Sequence, residues 1–99
     1  NAHLVAHPAA TFVVKVQGDS MAGAGIRDGD LLVVDRAREA RSGAIVVAVV
    51  DGELTVKRLR VGRDGVRLEA ENPAYRPILV RESAELVIWG VVAHAIRSY

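Results

Sequence analysis

Three Asp-Gly pairs, Asp28-Gly29, Asp51-Gly52 and Asp64-Gly65, cut this chain into short runs of β-branched and aliphatic residues. Such a pair favours the positive-φ backbone of a tight turn, so between two strand-like runs it predicts a hairpin. Asp51-Gly52 lies between 44–50 and 54–59 and is the clearest case. Asp28-Gly29 precedes a strand at 31–35, and Asp64-Gly65 leads into one at 66–71. Further runs at 11–17, 78–80 and 86–96 bring the total to six or seven strands. Turns fall at roughly eight- to twelve-residue intervals, the rhythm of a mainly β sandwich or partly closed barrel. Residues 86–96 could by apolar content be a buried helix, but valine, isoleucine and the internal Gly90 favour a strand. Helix is expected at most as a turn or two over 1–7, with Asn1 as N-cap and Pro8 as its stop.

Ninety-nine residues suffice for one compact domain, 1–99, and not for two. A net charge of +1 gives no basic excess for direct nucleic-acid binding. The clusters Arg36, Arg38, Arg41 and Lys57, Arg58, Arg60 have acids interspersed (Asp35, Glu39), and read as solvated surface. The absence of cysteine removes disulfides, thiolate catalysis and cysteine-ligated zinc, and fits a reducing cytoplasm. The longest apolar run, 44–50, is too short to cross a bilayer, and no signal-peptide pattern opens the chain. Because it begins at Asn1, the chain is expected to be a processed or truncated piece.

Ser20 follows the first strand behind Gly18, in a turn that could expose its hydroxyl alongside backbone N–H groups. Alone, a serine after Gly-Asp is commonly just a turn residue. Lysine usage adds to it. Of thirteen basic residues only Lys15 and Lys57 are lysines, and lysine, unlike arginine, can lose its proton when buried. Strand alternation puts Thr55, Lys57 and Leu59 on one face of the Asp51-Gly52 hairpin. An inward Lys57 would be partly desolvated. Lowering its pKa from about 10.4 toward neutrality takes roughly 4–5 kcal/mol of differential interaction. A neutral amine within reach of a serine hydroxyl can take its proton, as in serine–lysine hydrolases. The bland alternative is a surface lysine that snorkels beside Arg58.

No other constellation competes. His3, His7 and His94 are scattered, so no metal site is expected. Asp28, Asp30 and Asp35 could suggest a cation but suit turn caps better. Gly23, Gly25 and Gly29 lack the lysine and strand–helix order of a phosphate loop, and no cofactor is implied.

Several segments together resemble the UmuD/LexA family of self-cleaving proteins. Residues 12–21, ending Gly18-Asp19-Ser20-Met21, are similar to its serine motif, and 26–35 to its next strand with an Asp-Gly-Asp lead-in. Residues 51–59 resemble its lysine hairpin, and the separation of Ser20 from Lys57 agrees. Residues 72–78 and 89–94 look like the later loop and last strand. The resemblance implies a LexA/signal-peptidase-like fold and a serine peptidase with Ser20 as nucleophile and Lys57 as base. It also implies that the backbone N–H groups of Asp19 and Ser20 form the oxyanion hole. Residues 18–21, the preceding 7–11 and the terminal 90–94 look more like UmuD. That branch implies a cytoplasmic homodimer in SOS mutagenesis, stimulated by a RecA–DNA filament to remove an N-terminal arm. The shortened product would join a Y-family translesion polymerase, with no membrane and no direct DNA contact. The alternative is the C-terminal autocleavage and dimerisation domain of a LexA-like or phage repressor, which requires an upstream helix-turn-helix. A pure binding module with a spent dyad is a further reading, and a membrane signal peptidase lacks its anchor here. The arm with the scissile bond is not in this chain. The pairs Ala22-Gly23 and Ala24-Gly25 lie too close to Ser20 to reach back into its site.

Overall fold

Seven antiparallel strands form one sheet in the computed structural model, which describes residues 10–80 and 85–97. They are β1 (Thr11–Lys15), β2 (Leu31–Asp35), β3 (Ile45–Val50), β4 (Glu53–Gly62), β5 (Gly65–Glu69), β6 (Ile78–Val80) and β7 (Leu86–Ile96). The order across the sheet is β1-β2-β7-β3-β4-β5-β6, so β7 returns to lie between β2 and β3. The mainly β expectation is borne out, including the strand at 86–96. The helical turn expected over 1–7 lies outside the described residues.

Turn chemistry sets the registers. Asp51 and Gly52 both have positive φ, 49° and 84°, and close the β3–β4 hairpin on the pair Val50↔Glu53. A two-residue loop with both φ values positive matches the natural twist of the strands it joins. The next hairpin is shifted by one residue from the sequence expectation. Its loop is Arg63-Asp64, and Gly65 already pairs with Gly62. β1 stops at Lys15, earlier than the expected 17. Val16 instead gives its N–H to the Asp30 carbonyl and accepts the Gly29 N–H, so the Asp28-Gly29 turn captures the chain.

β3 is apolar throughout because both its faces are covered. Val47 packs with Val16, Met21, Ile26, Leu32 and Val34, whereas Val46 and Ala48 pack with Leu59, Leu68 and Val91. Met21, Leu32 and Leu68 are buried, each contributing about 1.5–3 kcal/mol of apolar transfer. Met21 thereby anchors the segment that carries Ser20.

β7 contains two register shifts. Trp89 is the extra residue between the pairs Val47↔Gly90 and Ala48↔Ile88, and Ala93 between Val33↔His94 and Val34↔Val92. An extra residue reverses the alternation. Leu86 and Ile88 therefore share a core cluster with Val91, not with Gly90. No helix among the described residues is long and apolar enough to cross a membrane.

Candidate active site

The turn that bears Ser20 is held from several directions. Gly18 has φ 86°, and its N–H donates to Asp28 Oδ1 at 2.8 Å. The Asp19 carbonyl accepts from Ala22 N at 3.1 Å and from Asn72 Nδ2 at 2.9 Å. Tyr75 Oη donates to Asp19 Oδ1 at 2.6 Å, and Gly23 N donates to the Glu71 carbonyl at 2.7 Å. A short 3₁₀ turn, Ala22–Ala24, then ends at Gly25 with φ 82°. The N–H groups of Asp19 and Ser20 donate to no other protein group among the described residues.

Lys57 comes to this turn from β4, where it pairs with Val46 of β3. Its Nζ lies 2.9 Å from Ser20 Oγ, 3.0 Å from Thr55 Oγ1 and 3.2 Å from the Val56 carbonyl, donating to all three as an ammonium. Thr55 is two positions back on the same strand face, so β alternation alone places its hydroxyl under the amine. Lys57 is half-buried. Burial pushes its pKa below the ordinary 10.5, and the negative charge of Glu53 partly opposes this. Once deprotonated, the amine stands within reach to accept the Ser20 hydroxyl proton. The lysine thus points into the site and does not snorkel.

A cleft of about 330 Å³ opens over this pair, with Val14, Val16, Met21 and Leu54 beside Ser20 and Lys57. A second opening of about 480 Å³ reaches Thr55 and Lys57 from the side of Tyr75 and Arg76.

The profile of the family described as "Peptidase S24-like" matches residues 1–93. The chain belongs to that family. The UmuD/LexA-type resemblance read from its motifs is thereby borne out. Among curated proteins, the chain is 50% identical over 86 residues to "LexA repressor 1" of Xanthomonas campestris pv. campestris. That alignment covers 87% of this chain and 43% of the relative. It is 48% identical over 90 residues to the LexA repressor of Stenotrophomonas maltophilia (91% and 43%). The same identity and length hold for "LexA repressor 2" of Xanthomonas axonopodis pv. citri (91% and 42%). The chain therefore spans less than half the length of the relatives it matches.

The remaining candidate groups of this S24-like chain have structural partners. Asp28 holds Gly18, Asp30 accepts from Arg97 and from the Arg27 N–H, and Asp35 accepts from the Ala37 N–H. No cluster of three or more His, Cys, Asp or Glu that could hold a metal occurs among the described residues. His94 is exposed, and His3 and His7 lie outside the described residues. The basic clusters alternate with acids in ion pairs, Arg41 with Glu39, Arg60 with Glu69 and Arg58 with Glu71. Sequence reasoning assigned no role to Thr55, Asn72 or Tyr75. Thr55 was legible as a neighbour of Lys57 by alternation. Asn72 and Tyr75 carried no local signal, because their partner is more than fifty positions away.

Proposed function

We propose that residues 1–99 are the self-cleavage and dimerisation domain of a LexA-like repressor, with Ser20 as nucleophile and Lys57 as general base. The carrying observation is the 2.9 Å approach of Lys57 Nζ to Ser20 Oγ, in a chain similar to LexA repressors over most of its length. Neutral Lys57 takes the hydroxyl proton as Ser20 Oγ attacks the scissile carbonyl carbon. The N–H groups of Asp19 and Ser20 donate to the oxyanion that forms. The C–N bond then breaks, the amine product leaves with the proton from Lys57, and water hydrolyses the acyl ester to regenerate Ser20. The cleaved peptide bond belongs to a segment outside this chain. A RecA–DNA filament stimulates the reaction by favouring the arrangement in which that segment occupies the cleft, and the protein acts as a cytoplasmic homodimer.

The curated relatives support this repressor reading over the UmuD-type one. They lend no support to a polymerase-accessory role, although residues 7–11, 18–21 and 90–94 look more like UmuD. The deciding experiment incubates the full-length gene product with an activated RecA filament and weighs the fragments. Release of a fragment the size of a DNA-binding domain is the expected result. A short released arm would restore the UmuD-type reading, and an intact chain at every pH would leave only a binding module.

A further inference from the structure

A peptide unit is planar, so whatever holds its carbonyl also orients the N–H on its opposite side. The Asp19 carbonyl and the Ser20 N–H belong to one such unit. Asn72 Nδ2 donates to that carbonyl at 2.9 Å, and Ala22 N donates to it at 3.1 Å, so the oxygen accepts two hydrogen bonds, as many as its lone pairs allow. Donors on a carbonyl also polarise its peptide and strengthen the N–H at the other end. Asn72 is itself fixed. Its Oδ1 accepts the Ala74 N–H at 2.9 Å, and its own carbonyl accepts the Tyr75 N–H at 3.0 Å. The same loop reaches the Asp19 side chain through Tyr75 Oη.

We propose that Asn72 is a positioning residue for the hydrolytic reaction, gripping the Asp19 carbonyl so that the Ser20 N–H is aimed at the oxyanion. Tyr75 supports this by anchoring the Asp19 carboxylate, whose negative charge would otherwise be free to swing toward the same place. The inference rests on the Ser20–Lys57 reading and deepens it. Asn72 is not needed merely to keep the turn attached, because Gly23 N to Glu71 O, Gly18 N to Asp28 and the burial of Met21 hold it independently.

The test follows the rate at which a fluorophosphonate probe modifies the chain, from neutral to strongly alkaline pH. Phosphonylation of Ser20 displaces fluoride and draws on the same base and the same N–H donors. Asn72→Ala deletes the grip. Asn72→Asp removes the donor and keeps Oδ1 for Ala74, but it also sets a negative charge against the Asp19 carbonyl, so only its plateau rate is read. Both variants are expected to melt near the wild-type temperature and to lose roughly 10- to 100-fold in the alkaline plateau rate. The pH midpoint of Asn72→Ala, which reports Lys57, should not move. A wild-type plateau in either variant overturns the proposal, as does a loss in Asn72→Ala that comes with a displaced midpoint. Ser20→Ala and Lys57→Ala controls separate the two levels. Undiminished labelling in Ser20→Ala defeats the dyad reading itself, whereas an unaltered Asn72 plateau with a silent Ser20→Ala defeats only the role of Asn72.

Discussion

The Gly23 amide donates to the Glu71 carbonyl at 2.7 Å, and a Cβ on Gly23 would stand 2.4 Å from that same oxygen. The obstacle is backbone, so it cannot rotate aside. Gly23→Ala must push the 22–24 turn away from residue 71, at a cost of about 1–3 kcal/mol in a packed setting. Because Gly23 lies three residues after Ser20, the same displacement lengthens the contact with Lys57. Denaturant unfolding and probe labelling should both register the change. Wild-type values in both would show that the two segments part without consequence.

The Lys57 pKa is lowered first by burial, so its proton is lost before the ordinary lysine range. Activity that needs the free amine therefore rises with pH and levels off below 10.5. Lys57→Arg, which keeps charge and bulk but cannot deprotonate, should abolish the rise and lower the rate by at least about 100-fold. A wild-type profile measured on the arginine variant would remove Lys57 from the base role.

The same burial predicts a stability effect that follows pH in the same direction. With its pKa below the unfolded value, folded Lys57 binds fewer protons than unfolded Lys57 between those two pKa values. Stability contributed by this group therefore rises as pH rises through that window, and the penalty is full below it. Lys57→Met, similar in length and uncharged, should thus unfold at a higher temperature than wild type at neutral pH. The gap should shrink in strong alkali. A less stable variant at neutral pH would mean that the three hydrogen bonds of the ammonium outweigh its desolvation.

Arg97 makes paired contacts with Asp30, Nε to Oδ1 at 3.1 Å and a terminal nitrogen to Oδ2 at 3.1 Å, and also donates to the Gly25 carbonyl. The Arg97 hydrogen bonds, then the Arg27 N–H, hold the Asp30 carboxyl below its usual 3.8. For a carboxylate with a depressed folded pKa, the stabilisation is present above the unfolded value and fades as pH falls through the folded one. Arg97→Ala should therefore lower the melting temperature near neutrality, with a difference that narrows in acid. A deficit constant from neutral pH down to strong acid would assign the loss to packing instead.

Gly90 pairs with Val47 of β3 beside the end of β2, and an added Cβ would meet Val34 Cγ1 at 2.7 Å and the Asp35 carbonyl oxygen at 3.0 Å. Val34 is buried, so it has little room to yield. Gly90→Ala should destabilise by about 1–3 kcal/mol, read from urea unfolding. It should leave the pH midpoint of labelling untouched, since Lys57 lies on a different strand.

Much of this arrangement was legible in the residues. Asp51-Gly52 and its flanking runs specify the hairpin that carries Lys57, and alternation places Thr55 and Lys57 on one face. What local pattern could not supply was the pairing of Ser20 with Lys57. A snorkelling lysine on a strand has the same neighbours in sequence, and the choice came from several family-like segments in the right order. The bulges at Trp89 and Ala93 were invisible because they arise from matching β7 to two neighbours at once. The one-residue shift of the Arg63-Asp64 loop arose because Gly65 was needed inside the ladder, opposite Gly62. Gly23 and Gly90 gave no sign of their reasons, which lie in the backbone of residue 71 for the one and in the Val34 side chain and the backbone of residue 35 for the other. Asn72 and Tyr75 read only as loop residues.

Ser20, the proposed nucleophile, precedes Lys57, its proposed base, by 37 positions, and the loop that steadies its turn follows by 53 and 56 positions from Asp19. During synthesis Ser20 therefore leaves the ribosome long before anything that could activate it. A nascent chain holding only β1 and β2 has no means of attacking itself or its neighbours on a polysome. On the proposed dyad, competence waits for β7, which joins β2 to β3 in the sheet, so proteolysis would be a property of the finished fold alone.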